Sequence, residues 1–280
     1  MLTQIKYPES LDKAFVNTFR GFLPPWGPLG YVVYKRTYAR KNEEWVDTLE
    51  RCTNGLLSLG LRMPKRELET LFSHLFHMKC SLAGRSLWQL GTKTVDTLGG
   101  DSLMNCWNVA VRSPRAFTFL FDELMLGGGV GANVHSHHVY SMPEVKYNPS
   151  ITHKEDSDVV FIVPDNREGW VELLSRVLEA YFYSGKNFTY STHCVRRAGT
   201  LLKGFGGTAS GPDPLVEGIM KISKILSKRH RRKLRPIDCL DIINIIGQVV
   251  VSGNVRRSAE IICGSSQDKL FLNAKNWSSG

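Results

Sequence analysis

Residues 104–134 read MNCWNVAVRSPRAFTFLFDELMLGGGVGANV. Met104 to Val111 is a short apolar stretch suited to a buried strand, and Phe117 to Leu126 has the length and texture of a buried or amphipathic helix. Gly127–Gly131 interrupts it, and Ala132 to Val134 begins a second strand. Strand, helix and strand in about thirty residues form the unit that joins two parallel strands through a crossover helix. The same alternation continues downstream. Val159 to Val163 and Phe188 to Val195 read as strands. A helix runs from Asp165 to about Tyr183, with Asp165 as N-cap, Glu168 completing a capping box and Gly185 as C-cap. Pro214 to Leu226 and Pro236 to Val251 read as helices, the second opened by proline at its first position. Ser258 to Cys263 is a last strand. The predicted class is α/β with parallel strands.

Upstream the texture is helical. Ser10 to Phe19, Glu43 to Leu57 and Glu67 to Met78 repeat apolar residues at helical spacing. Leu23 to Gly30 is a breaker-rich turn. Gly99-Gly100 marks a boundary, giving a mainly helical region over 1–98 and an α/β region over 99–280.

The chain has 280 residues, 42% hydrophobic and 22% charged, which excludes disordered and collagen-like classes. No apolar run is long enough to span a membrane and the N-terminus has no apolar signal core, so a cytoplasmic protein without a membrane partner is expected. The net charge is +10. Residues 228–235, KRHRRKLR, hold six of the Lys and Arg; without them the balance is +4. That reads as a solvated basic turn between helices, and no specific nucleic-acid partner is expected.

Cys52, Cys80, Cys106, Cys194, Cys239 and Cys263 form no C-x-x-C pair, which excludes a zinc ribbon or thioredoxin motif. His135, His137, His138 and His153 lack a carboxylate at metal-ligand spacing, so no metal site is expected. Gly127–Gly131 is not followed by G-K-[ST] and comes after a helix, so it is neither a P-loop nor a dinucleotide turn. Four glycines in five residues exceed what a helix cap needs, and they let a ligand lie against bare backbone. Gly204, Gly206 and Ala209 match G-x-G-x-x-A, but a polar stretch precedes them and no ribose-binding acid follows. What remains is a glycine-rich turn leading into a helix.

Several segments occur in one order: VVYKRTYAR at 32–40, GRSLWQLGT at 84–92, GDSLMNCWNVA at 100–110, FLFDELMLGGGVG at 119–131, VPDNREGW at 163–170, GFGGTASGP at 204–212 and GNVRRSAEI at 253–261. With them the chain resembles the adenosylcobalamin-dependent (class II) ribonucleoside-triphosphate reductases over nearly its whole length. The resemblance implies a helical N-terminal region followed by roughly the first half of a ten-stranded α/β barrel. It implies chemistry in which adenosylcobalamin generates a cysteine thiyl radical, a ribonucleoside triphosphate loses its 2′ hydroxyl, and two further cysteines supply electrons. On the matching positions, Cys106 is one member of that redox pair. Ser102, Asn105, Gly128 and Gly129 line the substrate pocket. Arg196, Arg197, Gly199, Gly206 and Gly207 belong to the loop that communicates a deoxynucleotide effector. A thioredoxin-type reductant is the implied electron donor.

The finger-loop segment Asn-Pro-Cys-Gly-Glu of that family is absent: Asn148-Pro149 continues with Ser150, and Cys263-Gly264 with Ser265. The resemblance therefore implies a portion lacking the radical cysteine and the partner of Cys106, inactive alone and complete only with the remaining C-terminal half. The stretches 112–117 and 146–159 are shorter than in monomeric relatives, which build their effector site from an insertion there. The other reading of the residues is a non-catalytic nucleotide- or nucleic-acid-binding module resting on the glycine turns and the basic run. The ordered motifs favour the reductase.

Overall fold

The computed structural model describes residues 7–201, 208–252 and 258–276. They fall into two compact units, Met1–Asn105 and Cys106–Gly280.

The first unit is helical: α1 (Lys13–Asn17), α2 (Pro28–Thr37), α3 (Trp45–Ser58), α4 (Lys65–Phe76), α5 (Gly84–Gln89), α6 (Lys93–Leu98) and a 3-10 turn over Gly100–Leu103. Its core joins Trp45, Leu49 and Cys52 of α3 to Leu68, Phe72 and Leu75 of α4, the spacing expected of helix faces turned toward each other. Arg51 reaches across this core. It donates to both carboxylate oxygens of Glu43, at 2.6 and 2.9 Å, and to the carbonyls of Leu87 and Leu90. The predicted turn over 23–30 is half correct: Pro28 does not break a helix but starts α2 at its first turn, where the missing N–H costs nothing.

The second unit opens with the quoted stretch. Strand β1 (Cys106–Ala110), helix α7 (Arg115–Met125) and strand β2 (Gly129–Asn133) are the predicted crossover unit. Then come α8 (Ser136–Val139), β3 (Ile151–His153), β4 (Phe161–Ile162), α9 (Arg167–Glu179) with a π-helical turn over Ala180–Ser184, β5 (Phe188–Ser191), α10 (Asp213–Lys228), α11 (Pro236–Val251), β6 (Ala259–Cys263) and α12 (Lys269–Leu272). Among the described residues two three-stranded sheets result, ordered β1-β2-β6 and β3-β5-β4, and the strand pairings within them are parallel. Gly127, with φ of 76°, terminates α7, whereas Gly129 and Gly131 are strand residues rather than turn residues.

One face of the first sheet is covered. Trp107, Val109, Val130, Ala132 and Ile262 pack with Phe117, Leu120, Phe121 and Leu124 of α7 and with Ile242, Ile243 and Ile246 of α11. The cap of α9 differs from the reading by one residue. Asn166 is the N-cap and accepts from the Gly169 N–H at 2.7 Å, while Asp165 turns to Arg196 and Glu168 to Arg167. Strand β5 stops at Ser191, where the Ser191 hydroxyl meets His193 Nδ1 at 2.9 Å in a local turn. Among the described residues no helix is long and apolar enough to cross a membrane.

Candidate active site

Successive strand residues point to opposite faces. The register of the first sheet therefore places three rows of side chains on the face away from α7 and α11. They are Cys106 beside Gly129 and Ala259, then Asn108 beside Gly131 and Ile261, then Ala110 beside Asn133 and Cys263. Cys106, Asn108, Ile261 and Cys263 are exposed, Ile261 to 66%. Parallel sheets are ordinarily buried on both faces, so an open one is unusual. The middle strand is stripped of side chains where it matters. Gly129 lies directly between Cys106 and Ala259 and leaves bare backbone next to the thiol. A Cβ on Gly131 would come within 2.7 Å of Asn108 Nδ2, so the carboxamide of Asn108 lies over that glycine.

The sequence-predicted site residues thus separate. Cys106 and Gly129 are brought together. Gly128 serves packing, since a Cβ there would stand 3.0 Å from both the Glu123 carbonyl and Trp107 Cδ1. Ser102 and Asn105 belong to the first unit; Ser102 is fully buried and its hydroxyl donates to the Gly99 carbonyl at 2.7 Å, while Asn105 is exposed. Cys263 shares the open face with Cys106 but lies four residues farther along and two strands away. At ~3.3 Å per residue and ~4.8 Å per strand, their separation far exceeds the ~7 Å limit for a disulfide. Asn108 was legible but missed: period-two alternation from Cys106 puts it on the same face.

The loop after β5 forms a second constellation. Arg196 is held by Asp165, its N–H at 3.2 Å from Oδ1 and its Nε at 2.8 Å from Oδ2. The Arg197 carbonyl accepts from the Thr200 hydroxyl at 2.8 Å, closing a tight turn. Gly199, at φ of 84°, donates to the Ala209 carbonyl, Ala209 donates back to Thr200, and Leu201 bridges antiparallel to Thr208. Residues 196–201 and 208–211 are therefore the two legs of a returning loop; Gly206 and Gly207 lie outside the described residues. At its base a cavity of about 110 Å³ is lined by Asp165, Arg196, Trp170, Val195, Ser210 and Val250.

The histidines form a polar cluster. His135 and His137 approach through their Nδ1 atoms at 2.7 Å, and Arg112 Nε donates to His138 Nδ1 at 2.9 Å. Among the described residues no group of three or more His, Cys, Asp or Glu side chains could hold a metal ion.

Two family models match: the ribonucleotide reductase alpha domain over residues 11–92, and the insertion domain of B12-dependent ribonucleotide reductase over residues 136–226. The insertion domain is thus represented here despite the shorter stretches noted above. Adenosylcobalamin-dependent ribonucleoside-triphosphate reductases are similar along almost the whole chain. The Levilactobacillus brevis protein is 34% identical over 98% of this chain and 46% of its own length. The Lactobacillus gasseri protein is 33% identical over 95% and 45%. A crystal structure of a B12-dependent (class II) ribonucleotide reductase superposes with a TM-score of 0.81 at 29% identity, covering 96% of this chain and 46% of that one. The chain spans just under half the length of the relatives it matches. Parallel α/β architecture, both family models and these relatives agree: along nearly its whole length the chain is similar to part of the B12-dependent (class II) ribonucleotide reductases.

Proposed function

We propose that this chain supplies one thiol and the substrate-facing sheet of a ribonucleoside-triphosphate reductase. The observation that carries the reading is the exposed Cys106 thiol beside the bare backbone of Gly129 on an open parallel sheet face. A ribose can approach backbone closely only where no Cβ intervenes. In the reaction two thiols close to a disulfide and lose two electrons and two protons. The ribonucleotide gains them and its 2′ hydroxyl leaves as water. Cys106 is one of these thiols; its partner comes from outside this chain, since Cys263 is out of reach. A dithiol reductant of the thioredoxin type then restores Cys106 by exchange.

The relatives are named for adenosylcobalamin, which supplies radical initiation when bound. The open face offers thiols, the carboxamides of Asn108 and Asn133, and a single large apolar side chain, Ile261. It presents no imidazole and no broad apolar platform for a corrin. No residue here is assigned to the cofactor, and it is proposed to rest on the remaining half of the reductase. Arg196, Arg197 and Gly199 are proposed to carry effector identity through the returning loop, and Gly206 and Gly207 are proposed to share that role. The proposed setting is cytoplasmic.

The test uses the reductase reconstituted from this chain and the complementing half, with a nucleoside triphosphate, cofactor and dithiol. Cys106→Ser should cut multiple turnover at least a hundredfold. Full turnover by that variant, or substantial turnover by the isolated chain, contradicts the reading.

A further inference from the structure

The turn between α10 and α11 carries the six cations of residues 228–235, and the structure divides them into two sets. Arg229 and Arg235 share the buried carboxylate of Asp238, at 3.2 and 2.8 Å. Arg229 also donates to the Lys233 carbonyl, and Lys233 Nζ donates to the Tyr140 carbonyl. Leu234 between them is fully buried. The backbone is fastened as well: the Arg231 N–H donates to Val145 O at 2.7 Å, and the Val145 N–H donates to Arg232 O at 2.9 Å. Arg231 adopts the left-handed conformation, φ 59°, which non-glycine residues rarely take. The run is a braced knuckle, not the loosely solvated turn its composition predicts.

The bracing leaves the second set free. Lys228, Arg231 and Arg232 are exposed, and among the described residues none of them forms an ion pair. Lys233 is bonded to a carbonyl rather than to an acid. Lys146, next to the clamped Val145, is exposed with its Nζ 5.2 Å from the centre of the Tyr147 ring; Glu144 is the exposed acid in that segment. Tyr140, tied to the knuckle through Lys233, leaves its ring half open to solvent, at 50%.

We propose that this knuckle is a contact for single-stranded nucleic acid, bound without sequence preference. Lys146, Lys228, Arg231 and Arg232 take successive phosphates, and Tyr140 stacks a base. Free cations on a held backbone next to an exposed ring are the combination that single strands use. Arginine forks suit phosphate oxygens. Because the turn is already ordered, little entropy is lost on binding. The ring decides the class of partner: an acidic polypeptide would use the cations alone, and a duplex would offer no unstacked base. The proposal does not depend on the reductase reading.

Fluorescence anisotropy of a labelled oligothymidylate of about 20 nucleotides, titrated with the purified chain from about 50 to 200 mM salt, is the test. Four phosphate contacts predict a slope of log K against log salt of about −2.8, at ~0.7 per contact on a single strand. The triple variant Lys228→Gln, Arg231→Gln, Arg232→Gln should bring the slope to about −0.7 and weaken binding at low salt at least tenfold. Tyr140→Ala should weaken binding about fivefold or more and leave the slope unchanged. If the triple variant does not fold, single Lys228→Gln and Arg232→Gln should each lower the slope by ~0.7. No binding at low salt, or variants that bind like the parent, overturns the proposal. So does equal competition by poly-glutamate with Tyr140→Ala silent, which would make the surface one for acidic polypeptides.

Discussion

Glu260 sits in the covered face of the first sheet, in the row of Trp107 and Val130, with its carboxyl against Gly247 of α11. Among the described residues its buried Oε1 has no hydrogen-bond partner. Burial pushes its pKa up to about 7, opposed only by Lys275. In the unfolded chain the group titrates near its ordinary value of 4.5. Between those values the folded state holds a proton that the unfolded state has released, so stability falls as pH rises from 4.5 to about 7 and then levels off. Glu260→Gln should flatten thermal stability across that window and melt above the parent at higher pH. Equal melting curves for both proteins throughout the window would show that the carboxyl is not buried as described. The residue scale is also where the sequence was least informative. An orphaned carboxylate on a core face cannot be inferred from a strand pattern, because SAEI alternates as well with Glu260 outward as inward. Ser102 illustrates the same limit: a serine in a family motif gives no sign that its hydroxyl closes its own turn.

At the scale of elements, α3 and the chain after α5 approach more closely than side chains allow. A Cβ on Gly55 would lie 2.5 Å from Gly91 N and 2.7 Å from its Cα, both backbone atoms that cannot swing aside. Alanine normally favours a helix interior over glycine by ~1 kcal/mol. Here Gly55→Ala should instead destabilise the protein by about 2 kcal/mol or more, since overpacking outweighs propensity. A urea midpoint equal to or above the parent's would contradict the contact. Elements with their own signals were legible. Pro236 and the following apolar run placed α11 over its observed span, and the glycine after an apolar helix placed the junction of α7 and β2. The three-residue strand β3 was not, because tertiary pairing with β5 makes it, not local preference, whereas β4 falls inside the strand read over Val159 to Val163. Helix α2 was hidden because proline breaks a helix inside but starts one at its edge.

Over the whole molecule, thiol reactivity reports how the two units bury their cysteines. Cys52 and Cys239 are buried, and burial pushes both thiols up, Cys52 to about 11. Cys80, Cys106, Cys194 and Cys263 are exposed, and all six are free. Iodoacetamide at neutral pH should add four groups to the native chain and the last two only after denaturation, read by intact mass. Rapid native labelling of Cys52 or Cys239 would contradict the packing of α3 or α11. Global architecture was the most legible level, since seven motifs in order carry the α/β class and the family resemblance together. Less legible was the division of the basic run, because composition counts cations without showing which of them Asp238 takes up.

The parallel order β1-β2-β6 carries a consequence for how the chain comes into being. Strand β2 meets β1 soon after synthesis, but its other neighbour lies roughly 125 residues downstream. At ~5–20 residues per second, β2 waits on the order of ten seconds on the ribosome with one edge unsatisfied. An open edge is a template for the wrong strand. Its two glycines, which leave backbone bare beside Cys106, also make it a weak strand on its own, so the feature that opens the site to a ligand also discourages premature partners until β6 emerges.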